Sequence, residues 1–180
     1  MKLIILDRDG VINEDSDNYI RSVDEFIPLP GSIEAMARLT HAGYSVTIAT
    51  NQSGIARGYF DIHTLNMMHE KLHRLLAAQG GQVDGIFYCP HGPEDHCACR
   101  KPKPGLLQDI QSRFDIDLND VYVVGDSLRD LEAARAVGAR PVLVRTGKGE
   151  RTLAKGKGLD GIPVYADLAA FVDELLQQEH

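Results

Sequence analysis

A chain of 180 residues, 43% hydrophobic and 25% charged, carries enough apolar mass for a substantial core and is most simply one domain over residues 1–180. Its formal charge of −7 argues against nucleic acid or an anionic membrane as partner, and admits anionic small molecules only where cations gather locally. No apolar run nears the roughly 20 residues that span a bilayer. Met1-Lys2 leads into too short an apolar run for a secretory signal, so the expected location is cytoplasmic. There the sequon Asn51-Gln52-Ser53 has no meaning.

Strand-like and helix-like segments alternate, which predicts an α/β fold with a central parallel sheet. Leu3-Ile4-Ile5-Leu6 is the first strand and runs into Asp7-Arg8-Asp9-Gly10-Val11-Ile12-Asn13; residues 14–24 are a polar stretch. Pro30-Gly31 opens a helix with Ile33, Met36, Ala37 and Leu39 inward, closed by Gly43. Residues 46–50 form a buried strand. Asp61 caps a long helix carrying Leu65, Met68, Leu72, Leu75 and Leu76, which Gly80-Gly81 stops. Ile86-Phe87-Tyr88 is a short strand entering a cysteine-rich loop, and Pro104 starts a helix with Leu106, Leu107, Ile110 and Phe114. Residues 121–124 are a strand, followed by a helix marked by Leu128, Leu131, Ala134 and Val137. Residues 141–144 complete the central strands, and Leu168, Phe171, Val172 and Leu175 mark a closing amphipathic helix. The glycine- and lysine-rich tract at 146–158 fits no phosphate-binding P-loop and reads as a mobile basic loop.

Chemistry in a parallel α/β sheet collects at the carboxyl ends of strands. Asp7 with Asp9 at such an end is hard to explain structurally, since paired carboxylates repel unless a cation or shared proton intervenes. Mg²⁺ is the simplest such cation. Three other strands end on Thr50, on Arg100-Lys101 after the cysteine loop, and on Gly125-Asp126-Ser127. All three cysteines lie within that loop. Cys89, His91, Cys97 and Cys99 offer three thiolates and one imidazole, a closed tetrahedral Zn²⁺ set, structural rather than catalytic. His96, adjacent to Cys97, is a poorer fourth ligand. Zinc there would fix the loop presenting Arg100 and Lys101, which Pro102 and Pro104 stiffen.

Asp7-Arg8-Asp9-Gly10, Thr50, Lys101 and Asp126, in that order, resemble the four motifs of the haloacid-dehalogenase superfamily, most of whose members are phosphatases. The resemblance implies a Rossmann-like, capless fold with an open site. It makes Asp7 the nucleophile and Asp9 the general acid and base, with Mg²⁺ held by Asp7, Asp126 and the Asp9 backbone carbonyl. Thr50 and Lys101 would bind phosphate oxygens, and Gly10 would let backbone approach the phosphate. Asp130 either orients the metal shell or is an ordinary charged helix residue. Cys89-Pro90-His91 and Cys99-Arg100-Lys101-Pro102 narrow the resemblance to the zinc-containing branch of the superfamily, over residues 3–146. Within that branch, residues 50–58 and 85–91 look like the phosphatases of heptose 1,7-bisphosphate, and histidinol-phosphate hydrolysis is the alternative. The resemblance implies removal of the C7 phosphate of D-glycero-D-manno-heptose 1,7-bisphosphate, for nucleotide-activated heptose. Arg100, and less directly Asn13, Asn51, Ser53 and Arg57, would contact the substrate. Two departures stand out: the loop between His91 and Cys97 is short, and Ser127 replaces a lysine that some relatives carry. A monomer is expected, since no oligomerisation segment is visible.

Rival readings have less behind them. His69-Glu70-Lys71-Leu72-His73 matches the helical pattern of zinc peptidases but lacks a third ligand, so these read as ordinary helix histidines. A zinc-stabilised binding module without activity does not need the intact Asp7, Asp9, Lys101 and Asp126 set. Removal of 3′-phosphates from DNA conflicts with the acidic charge and the missing basic-aromatic groove.

Overall fold

The computed structural model describes residues 1–179. Six strands form one parallel sheet: β1 (Lys2–Leu6), β2 (Tyr44–Asn51), β3 (Gly85–Cys89), β4 (Tyr122–Gly125), β5 (Arg140–Val144) and β6 (Val164–Tyr165), in the order β3-β2-β1-β4-β5-β6. The helices are α1 (Ser32–His41), α2 (Ile62–Ala77), α3 (Gly105–Phe114), α4 (Leu128–Ala136), α5 (Gly149–Lys155) and α6 (Leu168–Gln178). Strand β1 shows why the sheet is covered on both sides. Ile4 and Leu6 pack with α1, α2 and α6, while Leu3 and Ile5 pack with α3 and α4. Side chains alternate across a strand, so a continuous apolar run demands two apolar layers.

The chain winds outward from β1 through β2 and β3 on one side, and through β4, β5 and β6 on the other. The reversal leaves a crevice beyond the carboxyl ends of β1 and β4, where ligands bind in open α/β sheets. No domain is inserted between these strands among the described residues, as expected for a capless fold. Asp61 does cap α2, its carboxylate accepting the Thr64 backbone N–H at 2.8 Å. No helix among the described residues is long and apolar enough to cross a membrane.

Two elements differ from expectation. The basic tract at 146–158 is not simply a loop, because Gly149–Lys155 folds as α5, and a sixth strand extends the sheet beyond β5. Helix α5 buries only Gly149 and Thr152 and so carries no apolar stripe. Strand β6 has two residues, too few to show alternation.

Candidate active site

Asp7 and Asp126 lie just beyond or at the carboxyl ends of neighbouring strands, and the parallel pairing of Leu6 with Val124 brings them together. Asp7, Asp126 and Asp130 each place a carboxylate oxygen within 4.8 Å of the others. Lys101 enters this group from the cysteine loop. Its Nζ donates to Asp130 Oδ1 at 2.6 Å and to the Ala49 carbonyl at 2.9 Å, and lies 3.1 Å from Asp7 Oδ1. Burial alone would drive the Lys101 proton off, but Asp130 and Asp7 more than reverse this and hold it above the ordinary lysine range. One cation does not balance three clustered carboxylates, of which Asp126 and Asp130 are buried and Asp7 partly so. Burial first, then repulsion from Asp130 and Asp9, pushes Asp7 up to about 7 against the opposing pull of Lys101. Burial, Asp7 and Asp130 raise Asp126 well above its usual value. Such a group fits a hard divalent cation with oxygen ligands. Asp7 and Asp126 have oxygens to offer, whereas Asp130 is already committed. Its Oδ2 accepts from the Asp126 and Ser127 backbone N–H groups at 3.2 Å each and from the Ser127 hydroxyl at 3.0 Å. Asp130 therefore braces Lys101 and the Asp126 turn.

Glycine makes room for a carboxylate here. A Cβ on Gly10, whose φ is +86°, would lie 2.0 Å from Asp126 Oδ2, and one on Gly147 would lie 2.4 Å from the same atom. Both glycines make room for the Asp126 carboxylate, which also accepts the Lys148 backbone N–H at 2.8 Å. The tract that looked like a free basic loop thus closes over the carboxylate cluster, with Lys148 Nζ 2.9 Å from Asp15.

Asp9 sits in a dense donor shell. Its Oδ1 accepts from Arg8 Nε at 2.9 Å, Arg8 Nη2 at 2.7 Å and Asn13 Nδ2 at 2.9 Å. Oδ2 accepts only from Gln52 Nε2, at 3.1 Å, among the described residues. Burial works to raise the Asp9 carboxyl, but the Arg8 guanidinium and these hydrogen bonds outweigh it and hold it below the usual range. Gln52 also donates to Thr50 Oγ1 at 3.0 Å, linking the acid to the hydroxyl. Sequence reasoning passed over Gln52, although it lies in the segment that carried the resemblance.

Asp7, Asp9, Thr50, Asn51, Ser53, Arg100, Lys101 and Asp126 all line one open cleft of about 260 Å³. Asn51 spends its amide on the Lys101 backbone, donating to the carbonyl at 3.2 Å and accepting the N–H at 3.0 Å. Asn13 does not line the cleft: it is fully buried, and its amide goes to Asp9 and the Glu14 carbonyl. Arg57 is exposed, its guanidinium 5.5 Å from the Tyr19 ring centre, while Tyr19 itself lines the cleft. Arg100 reaches back to the His91 carbonyl at 3.4 Å and so ties cleft to cysteine loop.

Cys89, Cys97 and Cys99 converge, their sulfurs within 4.8 Å of one another. The Cys89 sulfur lies 3.6 Å from that of Cys97, near the edge of about 3.8 Å for thiolates around one tetrahedral ion, but only 2.6 Å from that of Cys99, so the three sulfurs gather without yet having the spacing of a zinc site. Burial and a hydrogen bond from Cys99 push the Cys89 thiol up to about 12, a cost that a coordinated cation reverses. His91 does not join them: it is exposed, and its ring nitrogens lie outside this cluster, as do those of exposed His96. His69 and His73, the peptidase-like pair, both lie on α2. His73 is exposed, whereas His69 is buried, its Nε2 3.2 Å from Arg8 Nη1. Burial and the Arg8 charge push it down to about 3, so the ring is neutral.

Residues 98–171 match the HAD-hydrolase-like family model. The chain is 60% identical over 178 residues to the D-glycero-β-D-manno-heptose-1,7-bisphosphate 7-phosphatase of Bordetella bronchiseptica, covering 99% of each chain. The enzyme of the same name from Pseudomonas aeruginosa is 60% identical over 176 residues, covering 97% of this chain and 98% of that one. A crystal structure of the D,D-heptose 1,7-bisphosphate phosphatase from B. bronchiseptica, complexed with magnesium and phosphate, superposes with a TM-score of 0.97 over 99% of both chains. The chain belongs to the D,D-heptose 1,7-bisphosphate phosphatase family of the haloacid-dehalogenase hydrolases.

Proposed function

We propose that this chain hydrolyses the C7 phosphate ester of D-glycero-β-D-manno-heptose 1,7-bisphosphate and leaves the anomeric phosphate in place. The observation that carries the reading is the buried group of Asp7, Asp126 and Lys101 beside a separately held Asp9, in a chain so similar to enzymes of that name. The β anomer is taken from those names. The heptose 1-phosphate formed suits activation by a nucleotide for lipopolysaccharide core or another surface glycan. The chain acts as one cytoplasmic, monomeric domain without nucleic-acid or membrane partners.

Asp7 and Asp126 would hold Mg²⁺ with the Asp9 backbone carbonyl, and the ion supplies charge neutralisation between a carboxylate nucleophile and an anionic phosphate. Asp7 Oδ attacks phosphorus, the bond from phosphorus to the C7 oxygen breaks, and Asp9 gives that oxygen a proton. Water then attacks the aspartyl-phosphate, Asp9 takes its proton, and the Asp7–phosphorus bond breaks to release phosphate. Asp9 is ionised in the free protein. An incoming phosphate dianion raises its proton affinity at the moment a proton is needed. Lys101 and Thr50 hold non-bridging oxygens, while Arg100 and Ser53 face the sugar.

The test is phosphate release with Mg²⁺ from both anomers of heptose 1,7-bisphosphate, beside histidinol phosphate. A preference of about 100-fold for the β heptose substrate, roughly 2.7 kcal/mol in transition-state terms, is expected. Faster turnover of histidinol phosphate would sink the substrate assignment while keeping the chemistry.

Cys89, Cys97 and Cys99 would hold a structural Zn²⁺, and His91, whose exposed ring lies outside the sulfur cluster, is the candidate for the fourth ligand. Elemental analysis is expected to give one zinc per chain. A zinc-selective chelator followed by Mg²⁺ repletion should lower kcat/KM by about tenfold, as Arg100 and Lys101 lose their anchor. Zinc-free protein with full activity would show that the loop holds itself.

A further inference from the structure

Arg8 is a fully buried cation among side chains whose purpose the reaction itself does not state. A guanidinium presents five N–H donors in a rigid fork. Nε and Nη2 are both spent on Asp9 Oδ1. Nη1 points the other way, into helix α2, where it meets Met68 Sδ at 3.6 Å and His69 Nε2 at 3.2 Å. The Phe26 ring centre lies 5.3 Å from the guanidinium carbon. The fork would otherwise pivot about its contact with Asp9. Thioether sulfur is a weak acceptor and a ring face fixes no direction, so the directional partner on the far side is His69.

We propose that His69 is a positioning residue for the acid and base step, its Nε2 lone pair aiming the Arg8 fork so that Arg8 in turn orients Asp9. The inference rests on the reading of Asp9 given above. Nε2 accepts from a guanidinium only when the ring proton is on Nδ1, and a buried neutral imidazole beside a fixed cation adopts that tautomer. Arg8 occupies Asp9 Oδ1 and thereby leaves Oδ2, bonded only to Gln52 among the described residues, as the oxygen that exchanges protons with substrate and water. Helix α2, which contributes no residue to the cleft wall, thus sets the angle of the acid. The same contact gives a physical use to the first histidine of the His-Glu-x-x-His pattern.

Side-chain reach provides the test. In His69→Gln the amide oxygen stands near the place of Nε2, whereas His69→Asn, one methylene shorter, stands near Nδ1 and falls short of Arg8. His69→Leu removes the acceptor with a side chain suited to burial, and serves if the asparagine variant does not fold. Steady-state phosphate release from heptose 1,7-bisphosphate is measured on Mg²⁺-replete full-length protein, with Asp9→Asn alongside. His69→Gln is expected to keep kcat within about threefold. His69→Asn and His69→Leu are expected to lower kcat by about tenfold or more with KM within about twofold, because misaiming a proton donor slows the step without weakening binding. Equal kcat for all three variants, or a loss that falls in KM, overturns the proposal. If Asp9→Asn is inactive while the His69 variants are unaffected, the inference alone fails; if Asp9→Asn turns over normally, the mechanism fails with it.

Discussion

Asp7→Asn is expected to lower kcat by about 10⁴-fold or more and, in metal-free protein, to raise the melting temperature. The first effect follows because an amide cannot form the acyl-phosphate bond. The second follows from the charge group the side chain sits in. Burial and the neighbouring carboxylates hold Asp7 up to about 7, against an ordinary 3.8. Between these values the folded chain binds a proton that the unfolded chain has lost, so folding becomes less favourable as pH rises through that window. Above about pH 7 the cost is fully present, on the order of 4 kcal/mol, and the neutral amide escapes it. The pull of Lys101 is already set against burial and repulsion in that figure. Thermal melts without metal should therefore show Asp7→Asn the more stable at pH 8, with the difference closing towards pH 4. Mg²⁺ should raise the wild-type melting temperature more than that of the variant. A variant that melts lower than wild type at pH 8 without metal would mean that Asp7 is not held under electrostatic strain.

How much of this was legible in the chain depends on where each signal lies. An apolar stripe announces its own helix, so α1, α2 and α6 could be placed from Met36, Leu72 and Phe171 without tertiary knowledge. Helix α5 and strand β6 carry no such stripe and exist because Thr152 bonds the Asp126 carbonyl at 2.9 Å and β6 pairs with β5. The site divides in the same way. Asp7, Asp9, Thr50, Lys101 and Asp126 could be picked out because each follows an apolar run or a resembling motif, and the cleft gathers all five. What a side-chain amide bonds to is decided across the fold. Asn13 and Asn51 were therefore visible as residues, but not their service to Asp9 and to the Lys101 backbone. Arg8 reads as a surface cation in any local window. Met68 and His69 of α2 and the Phe26 ring, brought against it only by the fold, make it a buried one.

The buried ion pair makes the second large expectation. Lys101→Met removes the partner of Asp130 and Asp7, whose side chains are only 3% and 13% exposed. Breaking a buried pair by deleting one partner leaves an uncompensated charge, at a cost of about 3–5 kcal/mol. For a chain of this size that corresponds to a fall of roughly 6–20 °C in melting temperature. On the proposed reading, in which Lys101 holds phosphate oxygens, turnover should fall as well, by about 10³-fold in kcat/KM. The two losses separate in the double variant Lys101→Met/Asp130→Asn. Neutralising Asp130 removes the nearer of the two stranded partners, so the melting temperature should recover part of its fall while turnover stays low. Recovery of turnover together with stability would assign Lys101 to holding the Asp126 turn through Asp130 and nothing more. Asp130 is bonded to both the lysine and the turn that carries Asp126, so one carboxylate sets the spacing between Lys101 and Asp126. In the proposed mechanism that is the spacing between phosphate cation and metal ligand, and the stability cost of three clustered carboxylates is the consequence of fixing it.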